Sequence, residues 1–226
     1  MKENLIHITR CGCGSWLILV ALLLSFVACT DNTGTDDTSP EFTTNWKQRN
    51  AEFFDSVLTV ARQEVAQAQA QYGDSWQSHC PWRVFLSYSK VAGGVSTDSI
   101  CAYVKQSGTA TDVPYYTDSI KVNYMGRLMP TASYKDGRVF DHSGTYELES
   151  YVFSERFSTP SHFAVSNLVE GYTTAVMHMH VGDRWMVYIP QELGYGSASQ
   201  GVLPAYSTLC FDMQLKGLAR KGDTLN

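Results

Sequence analysis

The sequence predicts an α+β fold in which one long helix precedes a set of strands and one short helix is set among them. Three patterns carry this reading. Between Trp46 and Gln71 the apolar residues recur three and four apart, the period of a one-faced helix. Beyond Trp82 the chain breaks into short runs rich in β-branched and aromatic residues, divided by turn formers, which is the pattern of strands. Late in the chain one short helical stretch, Tyr172–Met179, stops near Gly182 before the strand Arg184–Ile189.

The N-terminus is a targeting signal rather than part of the fold. Lys2 and Arg10 lie in a short charged region, and the apolar run Trp16–Val27 ends abruptly at Ala28-Cys29. That run falls short of the ~20 apolar residues a membrane helix needs. A charged start, an apolar centre and a small residue at the cut describe a secretory signal over residues 1–28. Cys29 after Phe-Val-Ala resembles a bacterial lipobox, where cleavage precedes the cysteine and its sulfur is acylated. The alternative is an ordinary signal peptide with an incidental cysteine. Thr30–Pro40 turns polar and acidic at once, as a tether does, so residues 29–42 are read as one. These features place the protein in the cell envelope, periplasmic or surface-facing, with Cys29 as its membrane anchor.

Cysteine count and charge narrow the function. Cys80, Cys101 and Cys210 remain after the signal, and an oxidising compartment permits a bond between two of them. Cys80–Cys101 is the expected pair, with Cys210 left over. The sequence has no CxxC, which argues against a thiol oxidoreductase. The formal net charge is −5 and no Lys/Arg cluster stands out, so nucleic-acid binding has no electrostatic support.

The long helix starts near Trp46, with Thr43 or Asn45 as its cap. Trp46, Phe53, Phe54, Val57, Leu58, Ala61, Val65 and Ala68 form its stripe, and Tyr72-Gly73-Asp74 supplies the stop. The stripe must be buried, either on the chain's own domain or against a second copy. A membrane surface suits it least, because the polar face holds few bases. Trp82–Ser89 and Ile100–Gln106 read as strands. Ser119–Leu128 alternates like a half-buried strand, with a bulge expected at Gly126. Residues 43–100 therefore form an extension with a long helix and a strand, 101–218 a main domain, and 219–226 a tail.

From here the chain resembles a known family. Val122-Asn123-Tyr124-Met125-Gly126 is similar to the VxYxG strand of FKBP-type peptidyl-prolyl cis-trans isomerases. Asp136-Gly137-Arg138-Val139-Phe140-Asp141 matches their DGxxFD return, after a connection lengthened by Met129–Lys135. Pro160–Ser166 resembles the PFxFxLG strand, and Leu168–Tyr172 the VIxGW that opens the central helix. Val181–Gly196 carries the VGxR strand and IPxELxYG turn. Gly201–Tyr206 resembles the GxIPPxA flap, and Ser207–Leu215 the closing TLxFDVEL strand. The resemblance covers roughly Ala102–Gly217. It implies an FKBP-like antiparallel sheet curled around the one short helix, with the N-terminal helix as an extension. It also implies isomerase activity on proline-containing polypeptides, without metal or cofactor. Some members dimerise through an N-terminal helical extension, so the stripe at Trp46–Gln71 is also a candidate homodimer contact.

The chemistry that the family performs sets the residues to look for. Amide resonance imposes a barrier of ~18–20 kcal/mol on the X–Pro bond. An enzyme lowers it by binding the twisted amide better than either planar form. The twisted carbonyl is less polar, so a dry apolar cup with one or two fixed donors suits it. By resemblance, Tyr124, Phe140, Phe211 and Tyr172 form the walls and floor of a proline pocket. Val169 offers its N–H, Tyr195 donates its hydroxyl to a substrate carbonyl, Leu203 closes the pocket from the flap, and Asp141 lies at the rim near the twisting carbonyl. The floor is usually Trp in the family and is Tyr172 here. Ser161 replaces an aromatic wall that Phe157 or Tyr151 would have to supply. A non-catalytic module holding proline-containing segments is the alternative reading, and a structural surface lipoprotein a third. Met177-His178-Met179-His180 invites a soft-metal reading, but His178 and His180 cannot both share a face with Met179.

Overall fold

The computed structural model describes residues 39–91, 93–144 and 158–224. The signal segment, Cys29, Tyr151 and Phe157 lie outside the described residues. Two helices open the described chain, α1 (Pro40–Thr43) and α2 (Trp46–Tyr72). The strands follow as β1 (Trp82–Leu86), β2 (Ser99–Gln106), β3 (Ser119–Arg127), β4 (Val139–His142) and β5 (Ser161–Ala164). Helix α3 (Glu170–Val176) precedes β6 (Arg184–Ile189) and β7 (Leu209–Ala219).

These strands make one antiparallel sheet in the order β1-β2-β6-β7-β3-β4. Strand β5 pairs with the first half of β3 and β4 with its second half, so the two share one long neighbour. The period-2 pattern decides which side each residue serves. Trp185, Val187 and Ile189 of β6 are buried in the main core with Tyr172, Ala175 and Val176 of α3. Tyr188, between them on the other face, packs on α2 with Cys101, Trp82 and Val84. The sheet is thus covered by α3 on one face and α2 on the other. Gly171 lets α3 lie close to β6, because a Cβ there would meet Ile189 Cγ2 at 2.3 Å.

Helix α2 spends its stripe on its own sheet. Phe54, Leu58 and Ala61 are buried against Cys101, each large side chain contributing about 1.5–3 kcal/mol. Near its start the docking is polar. Trp46 Nε1 donates to Ser207 Oγ at 3.0 Å, and the Thr208 N–H donates to Asn50 Oδ1 at 2.8 Å. The helix stops at Gly73, whose φ of 54° favours glycine. Asn45 does stand at the N-cap, but it is left-handed and makes no side-chain cap bond. It turns the chain from α1 into α2.

Several sequence expectations are corrected. The last tether residues are structured, since Pro40–Thr43 is helical and Phe42 is 2% exposed against Trp46. Strand β2 runs across residue 100, so the extension and the main domain share one sheet. The strand expected over Trp82–Ser89 ends at Leu86, because Ser87 and Ser89 leave it to donate to Glu170. The central helix is Glu170–Val176 rather than Tyr172–Met179, and the closing strand runs on past Leu215 to Ala219. Cys80, Cys101 and Cys210 are all free and buried. Register explains it: Cys101 lies opposite Val84, four residues along the chain from Cys80. That is roughly 13 Å of strand, far beyond the reach of a disulfide.

Candidate functional site

The site is built from the middle of the sheet upward. Tyr124 stands in β3 beside Met213 of β7, and Gly126 lies directly opposite Phe211. The missing Cβ at Gly126 is what admits the rings. An atom there would sit 2.6 Å from Phe140 Cζ and 2.7 Å from Phe211 Cε1. The β3–β4 register also shifts between Gly126 and Arg127, at the glycine where a bulge is expected. Phe140 packs edge-on to Phe211 at 5.5 Å, and Phe211 edge-on to Tyr172 at 5.0 Å. Tyr124 closes the group, 6.1 Å from Phe211 and 6.4 Å from Tyr172.

A cavity of about 240 Å³ opens on this cluster, lined by Tyr124, Asp141, Phe163, Val169, Tyr172, Tyr195 and Phe211 together with Asn167 and Leu168. Of the residues expected from sequence, Tyr124, Asp141, Val169, Tyr172, Tyr195 and Phe211 meet here. Phe140 and Leu203 do not line it. Phe140 supports Phe211 from behind. Leu203 is 1% exposed in the main core, drawn in by a turn in which it and Gln200 exchange backbone hydrogen bonds of 2.9 Å. Sequence reasoning missed Phe163, Asn167 and Leu168. Phe163 was legible, since it shares a strand face with Ser161, and its ring lies 5.8 Å from Tyr124. It supplies a wall near the one that Ser161 lacks.

Polar groups are few and fixed. The Tyr124 hydroxyl donates to Asp141 Oδ2 at 2.9 Å, and the His142 N–H donates to Asp141 Oδ1 at 2.8 Å. Ser143 secures β4 on the same tyrosine, its Oγ accepting the Tyr124 N–H at 2.9 Å. Val169 is the N-cap of α3, so its N–H precedes the helix's own ladder and has no intrahelical partner. Tyr195 is 38% exposed at the rim. Burial and then the charge of Asp141 push its phenol above the ordinary value, keeping it a donor at neutral pH. The Tyr172 phenol is raised well above its ordinary value, chiefly by burial and also by Tyr124 and Asp141.

The histidine pair lies elsewhere. Met179 is fully buried in the core. His178 stacks on Phe85 at 4.1 Å, with burial lowering its pKa, and His180 Nδ1 lies 3.6 Å from Asp183. Among the described residues no group of three His, Cys, Asp or Glu side chains is placed to hold a metal. No described helix is long and apolar enough to cross a membrane.

Residues 111–216 match the family model for FKBP-type peptidyl-prolyl cis-trans isomerases. The macrophage infectivity potentiator of Trypanosoma cruzi is 36% identical over 109 residues, 48% of this chain and 47% of that protein. The FKBP-type 22 kDa peptidyl-prolyl cis-trans isomerase of Escherichia coli K12 is 35% identical over 104 residues, 46% of this chain and 42% of its own length. The match therefore spans a little under half of each relative. The solved structure of FkpA from Escherichia coli aligns over 81% of this chain and 74% of its own, at 23% identity and a TM-score of 0.45.

Proposed function

We propose, from the FKBP-type match over residues 111–216, that this protein is a peptidyl-prolyl cis-trans isomerase. It acts on proline-containing polypeptides outside the cytoplasm and is tethered to a membrane of the cell envelope through lipid on Cys29. The observation that carries the activity is the aromatic cavity itself. Tyr124, Phe163, Tyr172 and Phe211 enclose a space that Asp141, Tyr195 and Asn167 also line. The signal-like segment ending at Cys29 supports the location. The apolar stripe of α2 already lies on its own sheet, so a homodimer through that helix would meet on polar residues.

The geometry suits catalysis by differential binding. The prolyl ring enters the cup and sheds water. The Val169 N–H and the Tyr195 hydroxyl hold carbonyls on either side of the ring, which fixes the flanking chain while the amide turns. Asp141 has both oxygens engaged by Tyr124 and His142. It therefore stands as a carboxylate held in a fixed orientation at the rim. No covalent step is required, because the reaction only rotates a bond.

A proline-isomer exchange measurement by NMR tests this on a short peptide with one X–Pro bond. Wild type should exchange the isomers faster than the uncatalysed rate. Tyr195→Phe should lower kcat/KM about 5–10-fold, one hydrogen bond's worth. Asp141→Ala should cost at least as much, since it also releases the Tyr124 hydroxyl. If Tyr195→Phe leaves both exchange and peptide binding untouched, the assigned site is wrong. The same assay decides the rival reading, a module that binds prolyl segments without turning them. Tyr172 in place of Trp, and Ser161 in place of an aromatic, favour that rival; it requires binding with exchange at the uncatalysed rate.

A further inference from the structure

A second cavity lies beside the flap, with a volume of about 740 Å³ against about 240 Å³ for the aromatic one. Helix α1 and the start of α2 form one side, and Pro204-Ala205-Tyr206 the other. Phe42 and Trp46 are 2% and 5% exposed, so they close its base, while the three flap residues are half-buried and present apolar surface to solvent. Lys47 is the one charged residue among the described residues that line the groove, and its Nζ lies 4.5 Å from the centre of the Tyr206 ring. A largely apolar space with few polar groups is the form of a ligand site. The backbone is strained at the same place. Asn45 and Tyr206 are the two non-glycine residues with positive φ among the described residues, at 50° and 63°, and both line this groove. Asparagine tolerates that region, but a tyrosine there is an outlier that costs about 1–3 kcal/mol. One bond that holds it also ties the groove to the proline cavity, since the Tyr206 N–H donates to Gly196 O at 2.7 Å. Gly196 follows Tyr195, which lines that cavity. The two spaces are thus separated by one tyrosine side chain, one peptide unit and one hydrogen bond, roughly 15 Å or about four or five residues of extended chain.

We infer that this groove is a second subsite for the client polypeptide, taking an apolar side chain and a neighbouring carboxylate about four or five residues from the proline. This inference rests on the isomerase reading above. A cavity of about 240 Å³ holds the prolyl ring and little more, so an unfolded client must run on past the rim. Where it passes Tyr195 and Gly196 it meets Tyr206 and the apolar surface beside it. The lining selects the occupant. Base and flap offer rings, Pro204 and Ala205, which reward an apolar side chain and give nothing to a polar segment such as this chain's own Thr30–Thr38. Lys47 at the edge favours an acidic neighbour and repels a basic one. One side of the groove comes from α1 and α2, outside residues 111–216. Choice among clients is therefore made partly by the N-terminal extension, while the prolyl ring is held by the main domain.

The test compares three peptides on the full mature chain, by NMR exchange and by fluorescence binding. One is a short polar peptide with a single X–Pro bond. The other two extend it with a leucine-aspartate pair at that spacing, before the proline in one and after it in the other. One extended peptide should bind about tenfold more tightly than the short one, with kcat unchanged within about twofold. Exchanging its aspartate for lysine should remove several-fold of that gain. Ala51→Glu, at an exposed position of α2 on the groove, fills the space and repels the carboxylate. Tyr206→Asn removes the ring and keeps a residue that tolerates positive φ. Each should bring the ratio of extended to short affinity from about ten to about one, and the ratio cancels any effect on the proline cavity itself. If neither extended peptide binds more tightly than the short one, or if the ratio survives Ala51→Glu, the inference fails and the isomerase reading stands. If light scattering shows a wild-type dimer that Ala51→Glu separates, a second copy fills the groove and the inference also fails. If wild type accelerates exchange of none of the peptides, the isomerase reading falls, and the ratio of affinities still decides the groove.

Discussion

Gly126→Ala puts the architecture of the cavity to a direct test. The added methyl would lie 2.6 Å from Phe140 Cζ and 2.7 Å from Phe211 Cε1. Carbon atoms in contact prefer about 3.5–4.0 Å, so each ring must retreat by about 1 Å. Phe211 is 5% exposed, and its ring is flanked by Tyr172 at 5.0 Å and Tyr124 at 6.1 Å, so the space open to it is the cavity that it lines. Phe140 is half-buried and can yield more easily. Overpacking of this kind costs about 1–3 kcal/mol, which for a chain of this size lowers the melting temperature by about 3–10 °C. Because Phe211 is a cavity wall, isomer exchange should fall several-fold along with stability. The assay is a thermal melt followed by circular dichroism, run beside the NMR exchange measurement. Removing the obstructing ring supplies the control, since Phe140→Ala in the Gly126→Ala background should cost less than the two single changes added together. A coupling of at least about 0.5 kcal/mol is expected for residues in contact. If Gly126→Ala melts with wild type and exchanges isomers at the same rate, the rings do not converge on that glycine, and the derivation of the site from this strand crossing is refuted.

The remaining predictions concern stability away from the cavity. Asn50→Ala should cost about 2 kcal/mol in urea unfolding. It strips the acceptor from the buried Thr208 N–H and a bond of 2.8 Å from Asn50 Nδ2 to Trp46 O; an unchanged midpoint would mean that α2 is not pinned there. Asp212 gives a pH test. Burial acts to raise its carboxyl, but bonds from Arg184 and Lys105 outweigh this and hold it below the ordinary carboxylate value. A carboxylate depressed on folding stabilises fully above its unfolded pKa, near 4, and loses that contribution as pH falls through the lower folded value. Asp212→Asn should therefore destabilise by about 1–2 kcal/mol at pH 7, given partners that keep some solvent. Across pH 2–6 it should show a shallower acid limb than wild type. Parallel acid limbs would contradict the assignment.

The division between sequence and tertiary structure follows from the range of the forces involved. Local pattern was enough for the strands at Trp82, Ser119 and Arg184, for the helix that starts at Trp46 and stops at Gly73, and for the bulge at Gly126. Periodicity and glycine act within a few residues. The ordered motifs also located Tyr124, Asp141, Val169, Tyr172, Tyr195 and Phe211, because each is fixed to an element whose identity is local. Period 2 reveals which residues share a face, but it does not reveal which strand lies opposite. That is why Cys80 was matched with Cys101, whereas the β1–β2 register sets Val84 against Cys101. The face that Phe163 shares with Ser161 was readable, but its entry into the cavity depends on β5 pairing with β3; the same limit misplaced Leu203, which a backbone turn carries into the core. It also left open what covers the stripe of α2. The answer, the second face of the chain's own sheet, depends on the long-range pairing of β2 with β6, whose partners, from Cys101↔Tyr188 to Gln106↔Arg184, lie about 80 residues apart. Element type is written along the chain, and the contents of the cavity are decided across it.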